Sequence, residues 1–351
     1  MSSRKHVVYA WITYILAFCG IAGFYFDIHT GRVIKSRVLS YYGRFFSLLI
    51  LVITPMTIYT YAINTPLNLT QNKLMNLLIA TYPSVMLASI VSCMFCVQRW
   101  QHRIIKLIED LLRMEELSIE PNYSVTPSQQ PYLRRLFWIK LCLVIQRLVI
   151  LFVYYIFAQD KDTIFNLTVS LFRIMRCGFY FLMFNIIWQI SLTFLKLQLY
   201  LEQLLFDIMP MAKKINKILK GQRMYYRLIR MINELCTIFK YPLFFYLIYL
   251  VYIYGLSGYT LIQMLFGKKL YIWLPTMKLL HILITIIEAM EFYILVRIAH
   301  MANTLHEHTF YILRYPYLNS DLVEKSVSKY LHLCLIFLSL DYFRMNGFPS
   351  S

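Results

Sequence analysis

Six apolar runs, each long enough to cross a bilayer, occupy residues 38–61, 73–97, 136–157, 169–195, 241–264 and 270–296. At ~1.5 Å rise per residue, runs of this size make roughly 33 to 40 Å of helix. A hydrocarbon core of ~30 Å needs about 20 residues, so each run can span with some tilt. Within lipid a single segment satisfies its own backbone only as a helix. The expected fold is all-α: a polytopic helical membrane protein, with six spans forming one membrane domain and a further apolar segment at the N-terminus.

The formal charge of +18 raises the question of nucleic acid, and the placement of the basic residues answers it. Of the 35 Lys and Arg, 24 fall in residues 1–37, 98–135, 196–240 and 297–330. The alternate loops, 62–73, 158–168 and 265–269, hold only Lys73, Lys161, Lys268 and Lys269. This is the positive-inside pattern, which puts the segments 1–37, 196–240 and 297–351 in the cytoplasm. No compact basic domain exists to carry nucleic acid, so the partner of the apolar surface is the lipid bilayer.

The segment from Val7 to Phe26, behind Arg4 and Lys5, allows three readings. It can be a cleaved signal with Cys19-Gly20-Ile21-Ala22-Gly23 resembling a cleavage site, a seventh span, or a non-crossing segment. Gly20, Gly23 and the charges that follow favour the last. Residues 213–240 form a basic amphipathic helix, with Ile215, Ile218, Leu219, Leu228, Ile229, Ile232 and Leu235 at helical spacing. It reads either as an interfacial helix on anionic headgroups or as an extension of the next span into a cytoplasmic assembly.

Charges inside spans are the best site candidates, because ~2.5–3.5 kcal/mol opposes each near a helix centre. Arg173 and Arg176 share a face near the outer end of the fourth span. They read as snorkelling side chains or as a polar ligand vestibule. Glu288 and Glu291 share a face in the sixth span, with Arg297 and His300 as nearby compensating groups. Arg147 lies in the middle of the third span beside Gln146, and Lys278 can reach the outer interface. Tyr154, Tyr155, Tyr252, Tyr254, Tyr259, Tyr271 and Trp273 gather at span ends, where they suit an interface belt. Any that face inward would line an apolar pocket.

Enzyme and cofactor signatures such as HExxH, GxSxG and Walker A are absent from the sequence. The Cys93/Cys96 pair sits within a span and reads as packing. His300, His306 and His308 around Glu307 read as surface groups. A seven-helix G-protein-coupled receptor lacks its Asp/Glu-Arg-Tyr and Asn-Pro-x-x-Tyr marks, and a transporter lacks paired broken helices.

Several stretches together resemble the insect gustatory receptor family. They are Gly20-x-x-Gly23-Phe24-Tyr25-Phe26-Asp27 with Gly31-Arg32, the long basic helix before the fifth span, the short outer loop at Phe266–Leu270, and the tail from His332-Leu333-Cys334 to Asn346. The resemblance implies a subunit of a ligand-gated, non-selective cation channel in the plasma membrane of a sensory neuron. It would detect tastants, bitter compounds among them, and assemble as a homo- or hetero-tetramer with both termini cytoplasmic. Members of that family continue into a seventh, pore-lining span with a Thr-Tyr…Gln-Phe ending, which does not precede Ser351 here. The expectation is thus a C-terminally truncated member, with conduction in question.

Three sequons test the topology. Asn68-Leu69-Thr70 and Asn166-Leu167-Thr168 fall in loops expected outside, and Asn122-Tyr123-Ser124 in a loop expected inside. Glycosidase treatment of the protein from eukaryotic cells should remove sugar from Asn68 or Asn166. Sugar on Asn122 would invert the map.

Overall fold

The computed structural model describes residues 2–18, 20, 22–64, 73–116, 129–157, 163–206, 210–265 and 275–317. Among them are seven helices and one hairpin: α1 (Ser2–Phe18), β1 (Phe24–Asp27), β2 (Arg32–Lys35), α2 (Arg37–Asn64), α3 (Lys73–Glu116), α4 (Gln129–Phe157), α5 (Thr163–Phe206), α6 (Met211–Leu265) and α7 (Pro275–Tyr317). The described residues are helical apart from this hairpin and its connections, as an apolar chain without lipid-compatible alternatives must be. Among the described residues, three stretches are long and apolar enough to cross a membrane: Ala80–Met114, Ser170–Leu204 and Asn216–Tyr259. The runs expected at 38–61 and 136–157 lie on α2 and α4, and the run at 270–296 lies on α7 from Pro275 onward, residues 270–274 being outside the described ones; parts of the side-chain surface on all three fall outside them too.

The hairpin is the element that period-based reading misses. Its register pairs Phe24 with Lys35 and Asp27 with Arg32. The turn closes through Asp27, whose carboxylate accepts the Thr30 hydroxyl at 2.8 Å and the His29 N–H at 3.0 Å. Those two bonds, the hydroxyl first, hold the Asp27 carboxyl below its usual range. Gly31 supplies the left-handed residue, at φ 65°, and its N–H bonds the Asp27 carbonyl at 2.9 Å. Ser36 then caps α2, its hydroxyl accepting the Leu39 N–H at 3.3 Å.

Helix α1 is tied to the hairpin by Thr13, whose hydroxyl oxygen accepts the Phe26 N–H at 2.9 Å. It ends at a left-handed Gly20 (φ 70°), whose N–H returns to the Ala17 carbonyl at 3.0 Å. A β-carbon at Gly20 would lie 2.6 Å from the Phe46 ring, and one at Gly23 2.4 Å from the Ser40 hydroxyl. The Gly20-x-x-Gly23 motif is therefore the contact by which this connection lies against α2.

The chain divides into two compact units. The first comprises Met1–Ile105, Trp138–Met183 and Tyr241–Tyr293; the second comprises Lys106–Phe137, Phe184–Lys240 and Ile294–Ser351. In the first, α2 presents Phe45, Leu48, Val52 and Met56 outward, an apolar face of the kind that lipid covers. In the second, Trp188 donates its indole N–H to the Leu133 carbonyl at 2.9 Å and packs on Phe137. The basic segment and the fifth apolar run prove to be one continuous helix, α6, of 55 residues. Lys213, Lys220, Arg223, Arg227 and Arg230 are exposed on it, while Leu228, Ile229 and Leu235 are buried. Leu219, expected on the apolar side, is exposed.

Two glycine substitutions should separate these roles. Gly20→Ala places a side chain at positive φ against Phe46 and should lower the thermal midpoint of the detergent-solubilised protein. Gly255→Ala meets nothing within 4 Å and adds helix propensity of about 1 kcal/mol, so it should leave the midpoint unchanged or raise it.

Candidate functional site

In the first unit, α4, α5 and α7 bring their buried charges together. Lys140 and Arg147 stand two turns apart on one face of α4, Arg173 and Arg176 one turn apart on α5, and Glu288 and Glu291 one turn apart on α7. All six are buried, with Glu288 fully inaccessible and Arg147 and Arg176 at 1% exposure. Arg147 bridges both carboxylates: it pairs with Glu288 through one terminal nitrogen and with Glu291 at 2.7 Å through the other. Arg176 reaches the same Glu288 oxygen at 2.7 Å, and Lys140 lies 3.7 Å from Glu291. The Cys177 thiol donates to Glu291 at 3.7 Å.

Tyrosines from α3, α5 and α6 enclose the cluster. The Arg176 guanidinium lies 3.5 Å from the Tyr249 ring centroid and 5.7 Å from that of Tyr246, a cation–π arrangement in a desolvated setting. The Tyr249 hydroxyl donates to Glu288 at 3.3 Å, so the Tyr82 hydroxyl, 3.5 Å away, is the donor to Tyr249. Arg173, also buried, lies within electrostatic reach of Tyr82, Tyr249 and Glu288. Tyr180 stacks on Tyr246 at 4.2 Å and donates to the Pro242 carbonyl at 2.8 Å, next to the Cys93 thiol at 3.8 Å.

Several sequence expectations change here. Arg173 and Arg176 do not snorkel to an interface; they turn inward, because the carboxylates and phenols of the bundle solvate them better than lipid can. The partners of Glu288 and Glu291 come from α4 and α5, while Arg297 and His300 are exposed. Gln146 is exposed and does not extend the polar face that Arg147 occupies. Lys140, Tyr82, Tyr246 and Tyr249 were not singled out from sequence. The seven-residue spacing of Lys140 and Arg147 was the available signal. Tyr154, Tyr155 and Lys278 lie on α4 and α7 and Asn166 in the first turn of α5, but their side chains fall outside the described residues. Tyr271, Trp273 and Asn68 lie outside them altogether.

The second unit holds a smaller polar contact. His306, expected at the surface, is buried, with its ring stacked on Tyr225 and its Nε2 3.0 Å from the Tyr225 hydroxyl. Burial pushes the imidazole below its usual pKa, against the opposing pull of the Glu307 carboxylate.

Apolar helices with outward-facing Phe and Leu around buried ion pairs define a helical membrane protein with a polar interior. The chain belongs to the 7tm chemosensory receptor family, whose sequence model matches residues 6–345. It is similar to the Drosophila melanogaster protein named gustatory receptor 85a. The two are 24% identical over 274 residues, covering 77% of this chain and 68% of that one. The resemblance to insect gustatory receptors drawn from Gly20–Arg32 and the tail thus stands, and neither the G-protein-coupled nor the transporter reading is favoured.

The network predicts non-additive mutants. Arg147→Met alone takes one partner from each carboxylate, leaving Glu288 to Arg176 and Glu291 to Lys140, and should lower stability by up to about 3–5 kcal/mol. Combined with Glu291→Gln, the loss should fall short of the sum of the single losses by about 0.5–3 kcal/mol, read from unfolding in detergent. Strict additivity would mean that the pair is not coupled.

Proposed function

We propose that this chain is a gustatory chemoreceptor, a subunit of a ligand-gated, non-selective cation channel that responds to a small-molecule tastant. In this reading it crosses the plasma membrane of a sensory neuron six times, with both termini cytoplasmic, and assembles with copies of itself or with related subunits into a tetramer. Bitter compounds are one class of tastant that fits an interior rich in tyrosine. Family membership supports receptor function, and the cluster at Arg147, Arg176, Glu288 and Tyr249 is the observation that carries the rest. Charge is tolerated in a membrane interior mainly where it serves a ligand, ion or relay.

Two further features support the topology. The basic residues concentrate in alternate loops. Helix α1 has 17 residues, or about 26 Å, and leads directly into the hairpin, which suits a non-crossing segment better than a span.

The test is electrical. Co-expressed with related subunits, the protein should support tastant-evoked cation current in excised patches without GTP, and a tag before Arg4 should be labelled only after permeabilisation. Current that requires GTP, with the tag accessible on intact cells, would replace the channel by a seven-helix receptor. Tastant uptake without current would replace it by a transporter.

A further inference from the structure

Among its described residues, the first unit buries more positive than negative charge. Its described acids are Asp27, Glu288 and Glu291, and Asp27 is engaged in the hairpin turn. Facing Glu288 and Glu291 are Lys140, Arg147, Arg173 and Arg176. A buried lysine can shed its proton, but a guanidinium keeps its charge in a protein. Whatever Lys140 does, three guanidiniums stand against two carboxylates among the described residues of the cluster.

The hydrogen-bond count leans the same way. Arg147 Nε, Arg173 Nε, Arg176 Nε and Arg176 Nη1 are all buried without an acceptor, while Glu288 Oε2 is a single buried acceptor without a donor. A cluster that only holds helices together gains nothing from a surplus cation, whose burial in a membrane interior is unfavourable. A surplus of donors and charge, ringed by the Tyr82 and Tyr249 phenols, is what an acceptor-only anion would complete.

We propose that the cluster is a binding site for a small organic carboxylate, held by the free N–H groups of Arg173 and Arg176 and walled by Tyr82 and Tyr249. The inference rests on the receptor reading only in naming the occupant as the stimulus; the binding itself does not need a channel. Guanidinium groups pair with planar carboxylate oxygens better than with a spherical halide, and the rings favour an anion with an apolar body. Arg173 has no carboxylate partner of its own among the described residues, so it is the surplus charge and the residue whose loss the fold tolerates best.

The experiment is thermal unfolding of the purified full-length protein in low-salt zwitterionic buffer, titrated with sodium benzoate, sodium acetate or sodium chloride. Benzoate at millimolar concentration should raise the midpoint by several degrees in a saturable way, with acetate weaker and chloride at equal ionic strength weaker still. Arg173→Gln should elute as a monodisperse peak, unfold no earlier than the parent without anion, and lose the benzoate shift at least tenfold in apparent affinity. Should Arg173→Gln fail to fold, Tyr82→Phe, which keeps the ring and removes a hydroxyl, should still weaken the shift several-fold. A chloride shift equal to that of benzoate would assign the site to inorganic anions and overturn the proposal, as would no shift with any anion. If Asp160→Asn or Asp162→Asn created a benzoate shift that the parent lacks, the counter-charge would be the chain's own and the proposal would fall. Tastant-evoked currents from a protein that shows no benzoate shift would leave the receptor standing while the carboxylate site fell. A benzoate shift without any current would do the reverse.

Discussion

The bridge from Arg147 to Glu288 and Glu291 is the interaction on which the first unit depends. A guanidinium buried at 1% exposure has no route to water, and only paired carboxylates make its position tolerable. Once Arg147 is fixed, the rest follows by satisfaction of neighbours. Glu288 needs a second partner and finds Arg176; Glu291 finds Lys140; the Tyr249 phenol completes the Glu288 oxygen. Four helices are thereby held at one depth by groups that apolar packing alone would not orient. Lipid tails are as apolar as the helix surfaces and give no hydrophobic drive to assemble them.

How much of this could be read from the chain varies with the range of the interaction. Helices α2 to α7 follow from apolar runs, because in a membrane length and hydropathy decide secondary structure almost alone. The identity of the buried charges was also legible, since an ionisable residue within an apolar run is conspicuous. Their pairing was not. Glu288 looked toward Arg297 and His300 because sequence proximity was the only distance available, whereas its partners lie on other helices. The hairpin was hidden for another reason: four-residue strands carry too little alternation to register against an apolar background, and the Asp27 turn is local hydrogen-bond chemistry. His306 was assigned to the surface because its neighbours Glu307 and His308 are polar, and both are indeed exposed; helical geometry turned His306 alone inward onto Tyr225.

The two kinds of polar content also differ in what they ask of the molecule. The His306–Tyr225 contact involves one imidazole, and burial favours its uncharged form. The Arg147 guanidinium keeps its charge in any protein setting, so its surroundings must supply the compensation permanently. Gly20, Gly23 and Gly43 show the opposite economy of means, since bare backbone brings the α1 connection to within contact of α2, where uncharged hydroxyls such as Ser40 and Tyr42 meet it.

The order in which the ribosome makes these partners matters for how the receptor is built. Arg147 emerges 141 residues before Glu288, and Arg176 emerges 112 residues before it. At about 5–20 residues per second, the arginines wait roughly 6 to 30 seconds for their carboxylates. During that interval α4 and α5 carry uncompensated cations at the translocon. Insertion of this chain is thus a process with a long-lived intermediate, and a stall ahead of α7 would leave arginine-bearing helices for membrane chaperones or degradation to handle.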